Sequence, residues 1–323
     1  MTRIDLITGL LGSGKTTFLL HYARYLLRHG ERIAILENDF GAVNVDMVML
    51  QELKGENCEL GMIAGGCDAH CHRRRFKTQL INLGMQHFDR VLVEPSGIFD
   101  MDEFFDTLHE SPLDRWFEIG SVLTVVDAQT DDVLPPQMEY LFGSEAACAG
   151  KLILSKWQPE VPAEEAVASA LAHLNRSLEA IRCDRRFTAE DMLVRDFDAL
   201  TDADFALLKA AGYRGSAYIK RFRPEDILSS VHYFMHIHIP DAQIRPVIGE
   251  IMADPACGRI YRLKGSLPAP DGWYKINATP ESIEIDSVPD GQAVLIVIGD
   301  ELHREAIDLH LQRVNTDPAY VSV

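Results

Sequence analysis

Gly9-Leu10-Leu11-Gly12-Ser13-Gly14-Lys15-Thr16-Thr17 follows directly on the apolar run Arg3-Ile4-Asp5-Leu6-Ile7-Thr8 and leads into Phe18-Leu19-Leu20. Strand, glycine-rich loop, Lys-Thr and helix, in that order, are the parts of a phosphate-binding P-loop. The backbone N–H groups of such a loop and of the helix start point at phosphate oxygens, and the glycines allow the dihedrals and close approach this needs. In this arrangement Lys15 reaches the β/γ-phosphates and the Thr16 hydroxyl ligates Mg²⁺. Gly9, Gly12, Ser13, Gly14, Lys15, Thr16 and Thr17 are therefore the expected nucleotide contacts.

The rest of the first half has the pattern that a P-loop requires around it. Apolar runs at Arg32–Glu37, Asp89–Glu94, Ser121–Asp127 and Lys151–Ser155 alternate with helical stretches, the first of which is Thr17–His29, ended by Gly30. Strands that are apolar throughout and separated by helices predict a mostly parallel α/β sheet with helices on both faces. Ligands of such sheets bind at the carboxyl ends of the strands. Glu94, Asp127 and Lys156 fall at or just beyond such ends. After an alanine-rich helix (Pro162–Ile181) a polar stretch, 188–220, reads as a connector without a clear strand. From Phe222 a smaller α+β unit is predicted: strands Val231–Ile239, Arg259–Lys264, Trp273–Asn277, Ser282–Val288 and Ala293–Ile298, with helices Ala242–Met252 and Glu301–Val314. The expected domains are 1–187, the P-loop domain, and 221–323, the C-terminal α+β domain.

Composition narrows the partners. The 323 residues are 47% hydrophobic and 25% charged, ample for a core, and carry a formal net charge of −18. That charge argues against nucleic acid and anionic membranes, which need clustered Lys/Arg. No apolar run approaches a membrane span, and the N-terminal apolar residues are split by the loop, so no signal peptide is expected. Six cysteines in such a chain are expected to be reduced thiols in the cytoplasm.

Four further segments carry chemistry. Glu94-Pro95-Ser96-Gly97 closes an apolar strand, where Glu94 orients Mg²⁺-bound water and Gly97 offers the γ-phosphate a backbone N–H. Glu37-Asn38-Asp39-Phe40-Gly41 puts two carboxylates at another strand exit, suited to sensing Mg²⁺ and the γ-phosphate. Cys67-Asp68-Ala69-His70-Cys71-His72 packs four soft or borderline ligands into six positions. Thiolate with imidazole favours Zn²⁺ or another late transition metal over Mg²⁺, and the following Arg73, Arg74 and Arg75 favour deprotonated thiols. Ser155-Lys156-Trp157-Gln158 stands where guanine-selective proteins carry Asn-Lys-x-Asp. The Gln158 amide both donates and accepts, so it discriminates bases less sharply than a carboxylate. His236 and His238 would share a face of an alternating strand; a half-buried strand face is the simpler account of them than a second metal site.

On these motifs the chain resembles the CobW-type metal-chaperone GTPases, relatives of the urease and hydrogenase accessory GTPases. The resemblance rests on the P-loop, on Glu37-Asn38-Asp39-Phe40-Gly41, on Glu94-Pro95-Ser96-Gly97 and on Val125-Val126-Asp127-Ala128. It extends to the second unit through Arg259-Ile260-Tyr261-Arg262-Leu263-Lys264-Gly265 and Val297-Ile298-Gly299. Two segments depart from the family pattern. Its Gly-Cys-x-Cys-Cys is here stretched to Cys67-Asp68-Ala69-His70-Cys71, and its Asn-Lys-x-Asp is here Ser155-Lys156-Trp157-Gln158. The resemblance implies Mg²⁺-dependent GTP hydrolysis coupled to delivery of a metal, zinc first, to a client metalloprotein of unknown identity. Glu94 or Asp39 would position Mg²⁺ or the attacking water, with Lys15 on the phosphates. Cys67 and Cys71, with Glu37 or His70, would hold the metal. The alternative is a nucleotide-gated assembly switch without metal cargo, on GTP or ATP. A homo-oligomer is left open.

Overall fold

The computed structural model describes the chain apart from residues 11, 40–49, 65–68, 96–100, 223–230, 281, 290, 292 and 323. The described side chains also exclude 38, 39, 64, 69–72, 103, 231 and 300. The chain forms two compact units that meet in sequence between residues 224 and 225.

The larger unit is built on seven parallel strands: β1 (Thr2–Thr8), β2 (Ile33–Asp39), β3 (Cys58–Ala64), β4 (Arg90–Pro95), β5 (Phe117–Asp127), β6 (Lys151–Ser155) and β7 (Met192–Val194). Their order across the sheet is β3-β2-β4-β1-β5-β6-β7, with every neighbouring pair parallel. The helices of eight or more residues are α1 (Lys15–Arg28), α2 (Ala69–Gly84), α3 (Met101–His109), α4 (Pro136–Ala146), α5 (Ala163–Ala180) and α6 (Asp202–Lys209).

Strand parity distributes the helices. Ile4 and Leu6 of β1, Ala34 and Leu36 of β2 and Val91 and Val93 of β4 pack with Phe76 and Leu80 of α2 and Phe104 of α3. The intervening Asp5 of β1 faces the other way and accepts a hydrogen bond from Tyr22 of α1 at 2.8 Å. Side chains alternate across a strand, so the sheet is covered on both sides, as the continuous apolar runs require. Helix α1 ends as expected: Gly30 adopts φ +78, and N–H groups of Gly30 and Glu31 close onto the Leu27 and Leu26 carbonyls.

In this unit two strands escape sequence reading. β3 is a sheet edge with Glu59 and exposed Met62 in it, so it is neither continuously apolar nor cleanly alternating. β7 has three residues, too few for any period. As a result the stretch read as a connector, 188–220, is part of the larger unit. Met192 pairs with Leu152, and Phe205 of α6 stacks on Tyr22 and Tyr25 of α1.

The smaller unit is a six-stranded antiparallel sheet in the order β11-β10-β9-β12-β8-β13. Its strands are β8 (Val231–Met235), β9 (Arg259–Ala269), β10 (Gly272–Ala278), β11 (Ile283–Val288), β12 (Val294–Asp300) and β13 (Val321–Ser322). Helices α7 (Asp241–Ala253) and α8 (Arg304–Val314) join one core with it through Ile248, Ile251, Leu263, Leu295, Ile307 and Leu311. The strand expected to run to Ile239 stops at Met235. His236 takes φ +53 and the alternation ends there, so His236 and His238 do not share a strand face. Among the described residues no helix is long and apolar enough to cross a membrane.

Asp5 and Arg90 form an ion pair at the centre of the larger sheet. Arg90 Nη1 lies 2.6 Å from both Asp5 oxygens, and both side chains are at most 1% exposed. Removing one partner strands the other's charge in the core, a loss of about 3–5 kcal/mol. Arg90→Ala is expected to lower the unfolding free energy of the larger unit by that amount in denaturant titrations, and Asp5→Leu/Arg90→Met to recover most of it.

Candidate functional site

The loop between β1 and α1 leaves the central strand of the sheet at its carboxyl end. Gly9 adopts φ +131, and a Cβ there would fall 2.2 Å from the Val125 carbonyl oxygen, so only glycine fits. Gly14 is the N-cap of α1 at φ +97, and no side chain caps the helix. The N–H groups of an uncapped first turn have no intrahelical partner and carry the positive end of the helix dipole. Lys15 is buried and lies back over the loop, its Nζ donating to the carbonyls of Gly9 at 2.7 Å and Leu10 at 3.3 Å. The Ser13 Oγ is buried and has no hydrogen-bond partner among the described residues.

The neighbouring strands add acidic groups by register and parity. Glu94 sits on the face of β4 opposite Val91 and Val93, which is the face α1 covers. It accepts a hydrogen bond from the Thr16 hydroxyl at 2.9 Å. Glu37 of β2 lies directly beside Glu94 in register and is likewise buried. A hydroxyl and two carboxylates at the mouth of a glycine loop make an oxygen-rich set suited to a hard cation such as Mg²⁺.

On the other side of the loop, Ser155 at the end of β6 donates to the Ser13 carbonyl at 2.5 Å. Lys156 follows in the left-handed region, φ +51, with its ammonium 2.5 Å from Asp127 Oδ2. Asp127 ends β5 opposite Ser155 in register. Gln158 is exposed. The structure therefore brings Gly9, Gly12, Ser13, Gly14, Lys15, Thr16, Thr17, Glu94, Glu37, Ser155 and Lys156 to one end of one sheet. Asp39 is the last residue of β2, and His70 and Cys71 lie in the first turn of α2; their side chains are outside the described set. Cys67 and Gly97 lie outside the described residues altogether.

Two participants were not legible in the sequence. Phe197, in a short turn after β7, packs on Phe18 and His21 of α1, and a Cβ on Gly14 would lie 3.6 Å from its ring. Glu145, in the last turn of α4, accepts the Gly9 N–H at 2.7 Å, and its backbone carbonyl accepts the Thr8 hydroxyl at 2.9 Å. The one sequence signal for Glu145 was an acidic residue inside an otherwise apolar and small-residue helix end, Phe142-Gly143-Ser144-Glu145-Ala146-Ala147. Burial pushes its carboxyl up from 4.5 to about 7, against the pull of the Lys15 ammonium and the Gly9 N–H.

With this geometry in view, residues 3–187 match the nucleotide-binding domain described as CobW/HypB/UreG. The chain belongs to the CobW/HypB/UreG family. Curated relatives include the zinc chaperone YeiR of Escherichia coli K12, 36% identical over 39% of this chain and 38% of that protein. Another is the zinc chaperone YjiA of the same organism, 30% identical over 53% of this chain and 54% of that protein. The zinc-regulated GTPase metalloprotein activator 1 of Dictyostelium discoideum is 26% identical over 39% of this chain and 30% of its own. The matches thus span about half or less of the length of these relatives. Among solved structures, Zn(II)-bound YjiA GTPase from E. coli aligns over 98% of this chain and 99% of its own, at 18% identity and a TM-score of 0.36.

The Glu145 carboxyl gives a pH test with a definite sign. Its folded pKa of about 7 lies above the ordinary 4.5. The folded protein therefore keeps a proton that the unfolded chain releases between those values, and stability falls as pH rises through that window. In Glu145→Gln this decline, up to about 3 kcal/mol, is expected to disappear. The check is the difference in unfolding free energy between variant and parent, measured from pH 4.5 to 8.

Proposed function

We propose that this chain is a Mg²⁺-dependent nucleoside triphosphatase, acting on GTP, that binds a transition metal and passes it to a client metalloprotein. The observation that carries the reading is the Gly9–Thr17 loop. Its uncapped helix start, buried Lys15 and the Thr16–Glu94 hydrogen bond meet at the carboxyl end of a parallel sheet, in a chain of the CobW/HypB/UreG family. The residues fit the group they would hold: Gly9 leaves no room for a side chain, and the buried Ser13 hydroxyl faces no partner among the described residues.

The loop amides and the Lys15 ammonium bind the β/γ-phosphates. The Thr16 hydroxyl holds Mg²⁺, and Glu94 or Asp39 orients the cation's water shell or the attacking water. Bound Mg²⁺ neutralises charge on the phosphate oxygens. Phosphoryl transfer depends on such positioning and charge stabilisation, so a slow intrinsic rate is expected. Ser155, Lys156 and Gln158 flank the base. With Lys156 paired to Asp127 and an amide at Gln158 in place of a carboxylate, the preference for GTP over ATP is expected to be shallow.

Cargo binding falls to Cys67 and Cys71, with Glu37 or His70. Zinc is favoured by this donor set and by relatives that carry the name zinc chaperone. Cys67 follows the end of β3 at Ala64, and β3 pairs with β2, the strand that carries Glu37, so nucleotide state can alter metal affinity by differential contact. The cytoplasm is the proposed location.

Two experiments test this. GTP and ATP hydrolysis compared at equal concentration should show Mg²⁺-dependent turnover that falls about 100-fold or more in Lys15→Ala; an unchanged rate would remove the loop from catalysis. Zn²⁺ affinity, read by competition with a chelating dye, should shift tenfold or more with a non-hydrolysable GTP analogue, about 1.4 kcal/mol of coupling. Cys67→Ser should weaken it without altering nucleotide affinity. Weak Zn²⁺ binding in every state would leave a nucleotide-gated switch without cargo.

A further inference from the structure

The smaller unit carries a second group of potential metal ligands at the edge of its core. Asp254 follows α7 and caps a one-turn 3₁₀ helix, Pro255–Cys257. Its Oδ1 accepts the Ala256 N–H at 2.9 Å, and the Cys257 N–H donates to the Asp254 carbonyl at 3.0 Å. The Cys257 carbonyl accepts the His303 N–H at 3.1 Å, tying the turn to the start of α8. Gly258 fixes the exit, since a Cβ there would lie 2.2 Å from the Glu301 carbonyl oxygen. The Asp-x-x-Cys turn is therefore held from both sides.

His310 comes from α8. Its Nε2 lies 2.7 Å from Asp254 Oδ2, and its Nδ1 faces Glu250 Oε2 of α7 at 3.6 Å. Glu250 in turn pairs with Arg313. Ligand atoms of Asp254, Cys257 and His310 all lie within 4.8 Å of one another. Cys257 is fully buried, while Asp254 and His310 are partly exposed, so the group has an apolar floor and an opening to solvent.

A His–Asp pair across two packed helices is ordinary; the thiol beside it is what the pairing does not explain. We propose that Asp254, Cys257 and His310 form a transition-metal site of the smaller unit, separate from the Cys67–Cys71 segment, with Zn²⁺ as its best-fitting ion. Three protein ligands of Cys, His and carboxylate type leave one tetrahedral position for water or an incoming ligand. The mixed sulfur–nitrogen–oxygen set selects a late divalent metal over Mg²⁺ or Ca²⁺. Zn–ligand distances of about 2.0–2.3 Å set tetrahedral ligand atoms roughly 3.3–3.8 Å apart, so Asp254 and His310 would part from their present 2.7 Å as the Cys257 sulfur, within 4.8 Å of both, completes the set. The Asp254–His310 hydrogen bond opens as the metal enters between them. The Nδ1–H of His310 would then donate to Glu250, the outer carboxylate that metal-bound histidines commonly have.

The test uses the full chain with Cys67→Ser/Cys71→Ser, reduced and free of nucleotide, titrated with Co²⁺. The expected result is about one equivalent bound, with tetrahedral visible absorption and a near-ultraviolet thiolate-to-cobalt band, both displaced by Zn²⁺. Adding Cys257→Ser should remove the thiolate band, and Glu250→Gln should weaken binding about tenfold. Absence of the band in the parent, or its persistence after Cys257→Ser, overturns the proposal. If Cys257→Ser does not fold, by circular dichroism and thermal unfolding, His310→Gln decides: unchanged Co²⁺ affinity there overturns it equally. The titration contains no nucleotide, so it succeeds or fails independently of the P-loop reading.

Discussion

One buried carboxylate joins the parts on which the larger unit depends. Asp5 stands in the middle of β1 and takes Arg90 from β4, the Ser121 N–H from β5 at 2.8 Å and the Tyr22 hydroxyl from α1. Burial works to raise the Asp5 pKa, and the Arg90 guanidinium and the two further donors work against it. Parallel strands have no hairpin to set their register, so a charge that finds its partners in one alignment only is a strong constraint on three neighbours at once. Gly120 belongs to the same constraint: a Cβ there would lie 2.1 Å from Asp5 Oδ1. Arg90 extends the network to Glu31 after α1, and Glu31 pairs with Lys209 of α6.

That register brings the site together. With β1, β4 and β2 aligned, Glu94 and Glu37 emerge side by side on the face that α1 covers, and Thr16 in the first turn of α1 meets Glu94. The P-loop starts from the same central strand, so the positive helix end and the acidic strand ends oppose each other across a short distance. Such an arrangement suits an anion and a cation bound together, as a nucleoside triphosphate with its metal is. Glu145 closes the site from behind. It occupies the Gly9 amide with a carboxyl whose charge burial disfavours, so the loop is supported by a group close to its own titration point at neutral pH.

The smaller unit solves a different packing problem. Its antiparallel sheet buries one face against α7 and α8, and the turn after α7 is tied to the start of α8 by the His303 N–H to Cys257 carbonyl hydrogen bond. Asp254, His310, Glu250 and Arg313 cluster there because two helices and a 3₁₀ turn come together where the apolar core runs out. The polar groups satisfy one another, and Cys257 is the member that belongs both to the core and to that cluster.

The sequence by itself determined the loop chemistry, the parallel class of the first sheet and most strand positions. These follow from local rules: glycine spacing sets which backbone shapes are allowed, and uninterrupted apolar runs mean burial on both faces. It also indicated that the P-loop, Glu94, Asp127 and Lys156, all at or just beyond strand ends, gather at one site. The edge strands β3 and β7 were not legible, because half-exposed or three-residue strands carry no period. The same holds for the inclusion of 188–220 in the first unit, which depends on contacts of Met192, Phe205 and Lys209 with distant residues. Glu145, Phe197 and the Asp254–Cys257–His310 group were decided by tertiary structure alone. Each brings together residues well separated along the chain, and sequence spacing cannot report a proximity that only the packing of sheets and helices creates.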